Sequence, residues 1–293
     1  MFDQVIELLL LAIIVGGIYA LFSVGITLIF GVLDIINVAH GEFFAIGAYV
    51  ALVPVALFGL GSPVGVIAGT LGAVLLGALI YPVIIRPIKA RLGRRAPGPM
   101  FLVVTLGLSI FLQNSLLAAA GGEYLRLPPQ VRGGLDLPFM YLSHQRILIF
   151  LLSSSTLLGL YFFLRYHRQG LAIRAVAMNP TAAQAVGIPL GHVFTLTIAL
   201  GCGLAGLAGT IIAPLINVYP SMGFALTIKA FAITILGGMG NVTGALIASF
   251  VIAIIESLSV LVLPSAWQDA VAFSVMMLVL LLRPTGILAG ARK

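Results

Sequence analysis

Residues 242–263 read VTGALIASFVIAIIESLSVLVL, a run of 22 residues with one ionisable side chain, Glu256. At about 1.5 Å per residue, a helix of that length reaches about 33 Å, enough to cross the hydrocarbon of a bilayer. Eight further apolar runs cover residues 5–33, 43–60, 63–85, 99–120, 146–164, 193–216, 225–239 and 267–282. The chain of 293 residues is 61% hydrophobic and 8% charged, against about 25% charged in soluble domains. There is too little polar surface to cover a water-soluble core. The expected fold is an all-α polytopic membrane protein of about eight or nine transmembrane helices, one membrane domain over residues 1–293 with no separate soluble domain. The run at 225–239 is short and ends in Gly237-Gly238-Met239-Gly240-Asn241, so it reads as a half-helix or a re-entrant segment. With 34 glycines in the chain, several interrupted helices are expected, as in transport proteins.

The basic residues set an orientation. Arg86, Lys89, Arg91, Arg94 and Arg95 form one cluster, Arg165, Arg168 and Arg174 a second, and Arg283, Arg292 and Lys293 a third, together eleven of the fifteen Lys and Arg. The positive-inside rule puts these loops in the cytoplasm. The segment 121–145 mixes Glu123 and Asp136 with Arg126 and Arg132 and fits the external side. The C-terminus is then cytoplasmic, and nine spans put the N-terminus on the periplasmic side. The first run has no basic residues before it and begins with Asp3 and Glu7. It reads as a first span, not as a cleaved signal. The net charge of +7 is accounted for by these loops and gives no case for nucleic acid. The single cysteine, Cys202, lies in an apolar, glycine-rich run and reads as a small packing residue.

Polar groups inside apolar runs are expensive and tend to line pathways or pair with one another. Asp34, Asn37, His40 and Glu42 fall within nine residues. On a continuous helix His40 and Glu42 would point away from Asp34 and Asn37, so the cluster reads as a break between helices, either a gate element of a pathway or an interfacial turn. His40 and Glu42 lack the second ligand cluster that a metal site needs. Lys229 either snorkels to the external interface or pairs with Glu256 or Asp269; Asp269 follows Trp267 and belongs near the external surface. Small residues recur at helix-packing spacing as Gly69, Ala73 and Gly77, as Gly201, Ala205 and Gly209, and as Gly240, Gly244 and Ala248. These are stripes for close packing or for sliding surfaces. The chain has no phosphate-binding loop, nucleophile elbow or zinc-protease motif. Uphill transport would need an ion gradient or another chain.

Asn179-Pro180-Thr181-Ala182-Ala183-Gln184-Ala185-Val186-Gly187-Ile188-Pro189 reads as a short helix in a polar loop. Asn179 caps its start, Pro180 suits the first helical position, Gly187 closes it and Pro189 stops continuation. Two turns are too few to be stable alone, which suggests docking against something else.

These features resemble a known family. Gly25-Ile26-Thr27-Leu28-Ile29-Phe30-Gly31, Ile36-Asn37-Val38-Ala39-His40-Gly41-Glu42, Ala205-Gly206-Leu207-Ala208-Gly209, Pro220-Ser221-Met222-Gly223-Phe224, Leu236-Gly237-Gly238-Met239-Gly240 and Arg283-Pro284-Thr285-Gly286-Ile287 are similar to segments, in the same order, of the permease subunits of branched-chain amino acid ABC importers. The length matches the shorter, LivH-like type. The resemblance implies an inner-membrane complex with two ATP-binding cassette subunits, a second, longer LivM-like permease and a periplasmic substrate-binding protein, with no cofactor and no catalysis on this chain. It makes the cytoplasmic loop at about 165–192 the coupling element, through Arg174, Asn179, Thr181, Ala182, Ala183 and Gly187. Thr181 stands where other importers carry a glutamate. Asn37, His40, Glu42, Lys229 and Glu256, with the first span and residues 225–244, become the candidate translocation pathway. The family also handles urea, short amides and aromatic acids, so a branched-chain amino acid is the default substrate. The rival reading is a stand-alone ion-coupled secondary transporter or channel for a small polar solute. It would have to work with Glu256, Lys229 and Asp34. An intramembrane enzyme lacks any nucleophile–base pair.

Overall fold

The computed structural model describes residues 2–92, 98–137, 140–283 and 286; Arg94, Arg95, Pro284, Thr285, Ile287, Arg292 and Lys293, named above, lie outside them. The chain is helical almost throughout: α1 (Phe2–Leu33), α2 (His40–Phe58), α3 (Ser62–Ile80), α4 (Arg86–Leu92), α5 (Gly98–Ala120), α6 (His144–Tyr166), α7 (Arg168–Met178), α8 (Pro180–Ala185), α9 (Leu190–Ile212), α10 (Met222–Gly237), α11 (Val242–Ser259) and α12 (Gln268–Leu282). Among the described residues, eight helices are long and apolar enough to cross a membrane. A two-stranded hairpin, β1 (Gly134–Leu137) and β2 (Met140–Ser143), precedes α6. It was not foreseen within residues 121–145. The hairpin marks one end of the bundle, and Arg165 and Arg174 mark the other, which is called here the basic end.

α9 is the most enclosed helix, and its glycines explain why. A Cβ at Gly201 would lie 2.9 Å from Gly25 O of α1, one at Gly206 would lie 2.2 Å from Ala73 Cβ of α3, and one at Gly209 would lie 2.0 Å from Phe44 O of α2. α1 and α2 thus meet α9 backbone to backbone, and α3 meets it through a methyl group. In lipid, where apolar burial gives no drive, such van der Waals contact does much of the holding. Two of the sequence stripes, Gly69/Ala73/Gly77 and Gly201/Ala205/Gly209, lie in these contacts. A smaller apolar cluster of Ile233, Leu236, Ala248, Ile252 and Ala272 joins α10, α11 and α12.

Two expectations need adjustment. The cluster Arg86, Lys89 and Arg91 is not in a loop. α3 runs through a π turn at Tyr81–Ile85 into α4, and Lys89 lies over the rings of Phe101 and Phe194 at 5.6 and 5.2 Å. The run at 225–239 is not re-entrant. Before α10, Val218 pairs with Leu125 and Tyr219 meets Tyr124 near the hairpin end. After α10, Gly240 packs on Gly31 toward the basic end. The chain through α10 therefore leads from the hairpin side to the basic end, but α10 is short, 16 residues or about 24 Å, and its first turn packs at Gly223 on Gly41 near the start of α2, as the half-helix reading expects. Gly238 and Gly240, with φ of 94° and 84°, take the left-handed turn that sends the chain back into α11.

Candidate translocation and coupling sites

The break between α1 and α2 is real and deep. Asp34 takes φ 55° and the chain reverses. His40, the first residue of α2, then meets α1 at Phe22, ring to ring at 4.8 Å, and at Gly25. Gly25 lies eight residues before the end of α1, about 12 Å back along its axis. α2 thus begins at mid-depth. Non-helical backbone survives there only when protein satisfies it. Thr105 of α5 does so: its Oγ1 accepts from Val38 N–H at 3.1 Å and lies 3.0 Å from Ile36 O. One turn on, Ser109 Oγ donates to Glu42 Oε1 at 2.8 Å. Eleven residues separate Ser109 from either end of α5. Asn37, His40 and Glu42 are all buried, and Asn37 Oδ1 and Glu42 Oε2 meet no hydrogen-bond donor among the described residues. Asn37, His40 and Glu42 thus lie inside the bundle, while Asp34 at the turn is exposed.

The second polar site lies toward the hairpin end. Lys229 Nζ of α10 is 2.9 Å from Glu256 Oε1 of α11 and 2.6 Å from Asp269 Oδ1 of α12. Tyr19 OH of α1 accepts from Lys229 at 3.0 Å and donates to Glu256 Oε2 at 2.8 Å. Lys229 and Glu256 side chains are 14% and 7% exposed, Asp269 67%. Of the two readings of Lys229, pairing is the one realised, with both acids at once. Four helices meet at this cluster.

A cavity of about 1320 Å³ opens at the basic end between α1, α6, α7 and the α10–α11 turn. Its wall is mostly aliphatic, with Thr27, Tyr161 and Thr243 as hydroxyls and Arg165 and Arg174 in its lining. Arg174 donates to Arg165 O at 3.3 Å. Arg165 bonds Tyr161 OH and lies over the Tyr166 ring.

Beside the cavity stand α7 and α8. α8 is built as the sequence suggests: Asn179 Oδ1 accepts from Ala182 N–H at 3.0 Å, Pro180 opens the helix, and Gly187 closes it with φ 87°. α7 occupies a stretch that the sequence analysis assigns to a loop. Its buried residues Gly170, Ile173 and Val176 recur every three positions, a helical signal that was there to be found. Thr181, Ala182 and Gly187 are exposed, whereas Ala183 is buried and holds α8 to the bundle. The most exposed apolar groups here are Met178 at 88% and Val186 at 78%.

Thr105, Ser109 and Tyr19 were not anticipated as partners of these sites. Thr105 and Ser109 share a helix face at four-residue spacing, as do Tyr19, Ser23 and Thr27. That spacing is the sequence signal they carried.

Membrane-crossing helices, a broken helix at mid-depth, buried charge and a cavity open at one end define a polytopic membrane permease. The chain belongs to the family described as the permease component of branched-chain amino acid transport systems, whose pattern matches residues 8–280. It is 35% identical over 283 residues to the high-affinity branched-chain amino acid transport permease LivH of Escherichia coli K12, covering 93% of this chain and 92% of that one. It is 32% identical over 288 residues to BraD of Pseudomonas aeruginosa, covering 94% and 92%. It is 29% identical over 296 residues to a probable LivH of Methanocaldococcus jannaschii, covering 94% and 90%.

Proposed function

We propose that this chain is the LivH-like permease subunit of an ATP-driven importer in the bacterial inner membrane, moving branched-chain amino acids toward the cytoplasm. The observation that carries the reading is the family match along 8–280. In this reading the basic end, with the C-terminus, faces the cytoplasm, and the hairpin end and the N-terminus face the periplasm. Two ATP-binding cassette subunits bind below, a LivM-like permease pairs with this one, and a periplasmic binding protein delivers the solute. The ATPases supply the energy, and this chain turns their movement into a change of access.

The coupling surface is α7–α8. Arg174, Thr181, Ala182 and Gly187 face outward, Asn179 caps α8, and Met178 and Val186 present apolar groups to a partner groove. Buried Ala183 transmits the push into the bundle. The broken helix, with Asn37, His40 and Glu42, and the Lys229–Glu256 pair belong to the translocation pathway.

Replacing both Met178 and Val186 with aspartate tests the docking surface. Expected is loss of ATPase subunits on co-purification and loss of ATP-driven leucine uptake, with the permease still present in the membrane at normal level. Normal co-purification and uptake would overturn the assignment. The variant spares Ala183, whose replacement would disturb packing as well as docking.

A further inference from the structure

The cavity at the basic end is a groove on one side of α1. Val24, Thr27, Leu28 and Gly31 of α1 form its floor, α6 one wall, and the α10–α11 turn with the start of α11 the other; α7 closes it at the basic end. It faces away from the broken helix. His40 meets α1 at Phe22, and Gly31 follows Phe22 by about two and a half turns, which puts the two on opposite faces. The groove is open along its flank. Toward the hairpin end α1 is clasped on both sides, because a Cβ at Gly16 would meet Phe250 of α11 and one at Gly17 would meet Ser153 of α6. Past that point α6 and α11 both stay on α1 but do not pack closely on one another. Tyr161 on one wall and Thr243 on the other are exposed.

Its depth and chemistry match one half of a bilayer. From Leu157 to Arg165 α6 rises about 12 Å, close to the ~15 Å of one leaflet in a hydrocarbon layer about 30 Å thick. Inside, Leu157, Leu160, Leu164 and Leu246 make the walls aliphatic, and Arg165 and Arg174 stand at the mouth. Neither arginine forms an ion pair among the described residues. Their partners are neutral: the Tyr161 hydroxyl and the Tyr166 ring for Arg165, the Arg165 carbonyl for Arg174. A guanidinium carries five N–H donors, so most are left for an anion, and phosphate suits their fork. Asp34 at the end of α1 lies outside the lining. A zwitterionic solute would find no carboxylate in the lining for its ammonium. Tyrosines at the level of the arginines suit the membrane interface.

We propose that this groove holds an anionic phospholipid from the leaflet at the basic end. Its phosphate lies on Arg165 and Arg174, and an acyl chain runs along α1 between α6 and α11. The site goes beyond the importer reading, since it needs only that the bundle stands in a bilayer. α7 gives Ile173, Arg174 and Ala177 to the lining and leads into α8, so the lipid braces the helix that carries the coupling surface.

The test measures lipid retained by the assembled transporter, purified in detergent, by native mass spectrometry. The probes are dioleoylphosphatidylglycerol, dioleoylphosphatidylcholine and inorganic phosphate. Phosphatidylglycerol should be retained about tenfold more than phosphatidylcholine, and Arg165→Gln with Arg174→Gln should bring the two level. Thr243→Trp fills the groove and spares both arginines; it should lower phosphatidylglycerol retention by a similar factor. This variant carries the test where the arginine pair, which includes a coupling residue, does not assemble. Equal retention of the two lipids by the unsubstituted transporter would overturn the site, as would phosphatidylglycerol retention unchanged in either variant. Displacement of the lipid by millimolar inorganic phosphate, with Thr243→Trp without effect, would show an anion site that takes no acyl chain and would overturn it too.

Discussion

The break at Asn37–Glu42 and the cluster around Lys229 both place polar groups in the membrane, but they satisfy them differently. At the break, α5 supplies hydroxyls only. Thr105 bonds the loose backbone of Ile36 and Val38, and Ser109 bonds one oxygen of Glu42, while Glu42 Oε2 and Asn37 Oδ1 stay unmatched by the described residues. At the cluster, a cation meets two carboxylates and a phenol, each within 3.0 Å. The first arrangement is weakly tied and adaptable. The second is tied strongly, by opposite charges in contact.

The largest effect expected from this contrast is at Lys229. Lys229→Ala leaves Glu256 buried without its cation and should cost about 3–5 kcal/mol, read as a lower unfolding midpoint of the purified protein in detergent; a shift no larger than that of a surface variant would break the contrast. At the break, Thr105→Val strips partners from Val38 N–H and Ile36 O and should cost about 1–3 kcal/mol. Thr105→Ser, which keeps the hydroxyl, should recover most of it.

Much of this was legible in the sequence and some was not, for physical reasons. The spans follow from hydropathy alone. The break was visible because Asp34, Asn37, His40 and Glu42 stand out in an apolar chain. Its depth was not, because depth depends on how far the chain folds back along α1, a tertiary fact. The hydroxyl partners escaped because serine and threonine are cheap enough in a helix, where they can bond a preceding carbonyl as Ser23 bonds Tyr19 O. α7 escaped because its mixed composition reads as loop until its three-residue spacing is counted. Ala183 looked like part of a docking face because it belongs to a short exposed helix, yet that helix needs one side to hold on by.

Smaller effects refine the picture. Asn179→Ala removes the cap of α8 and should cost about 1 kcal/mol. It should lower ATPase co-purification while leaving the bundle's unfolding midpoint nearly unchanged. Asp269→Asn should be the mildest change, about 0.2–1 kcal/mol, because that carboxylate is two-thirds exposed and Glu256 remains on Lys229. A large loss there would mean that Asp269, not Glu256, is the main partner of the cation.

The most direct measurement is a lock between α1 and α11, two of the helices that meet at the Lys229 cluster. Ser23 and Ser249 hydroxyls lie 2.7 Å apart, so the pair Ser23→Cys and Ser249→Cys is placed to form a disulfide. Oxidation should stop ATP-driven uptake in the assembled transporter, and reduction should restore it. Uptake that continues at its normal rate with the disulfide formed would contradict the account.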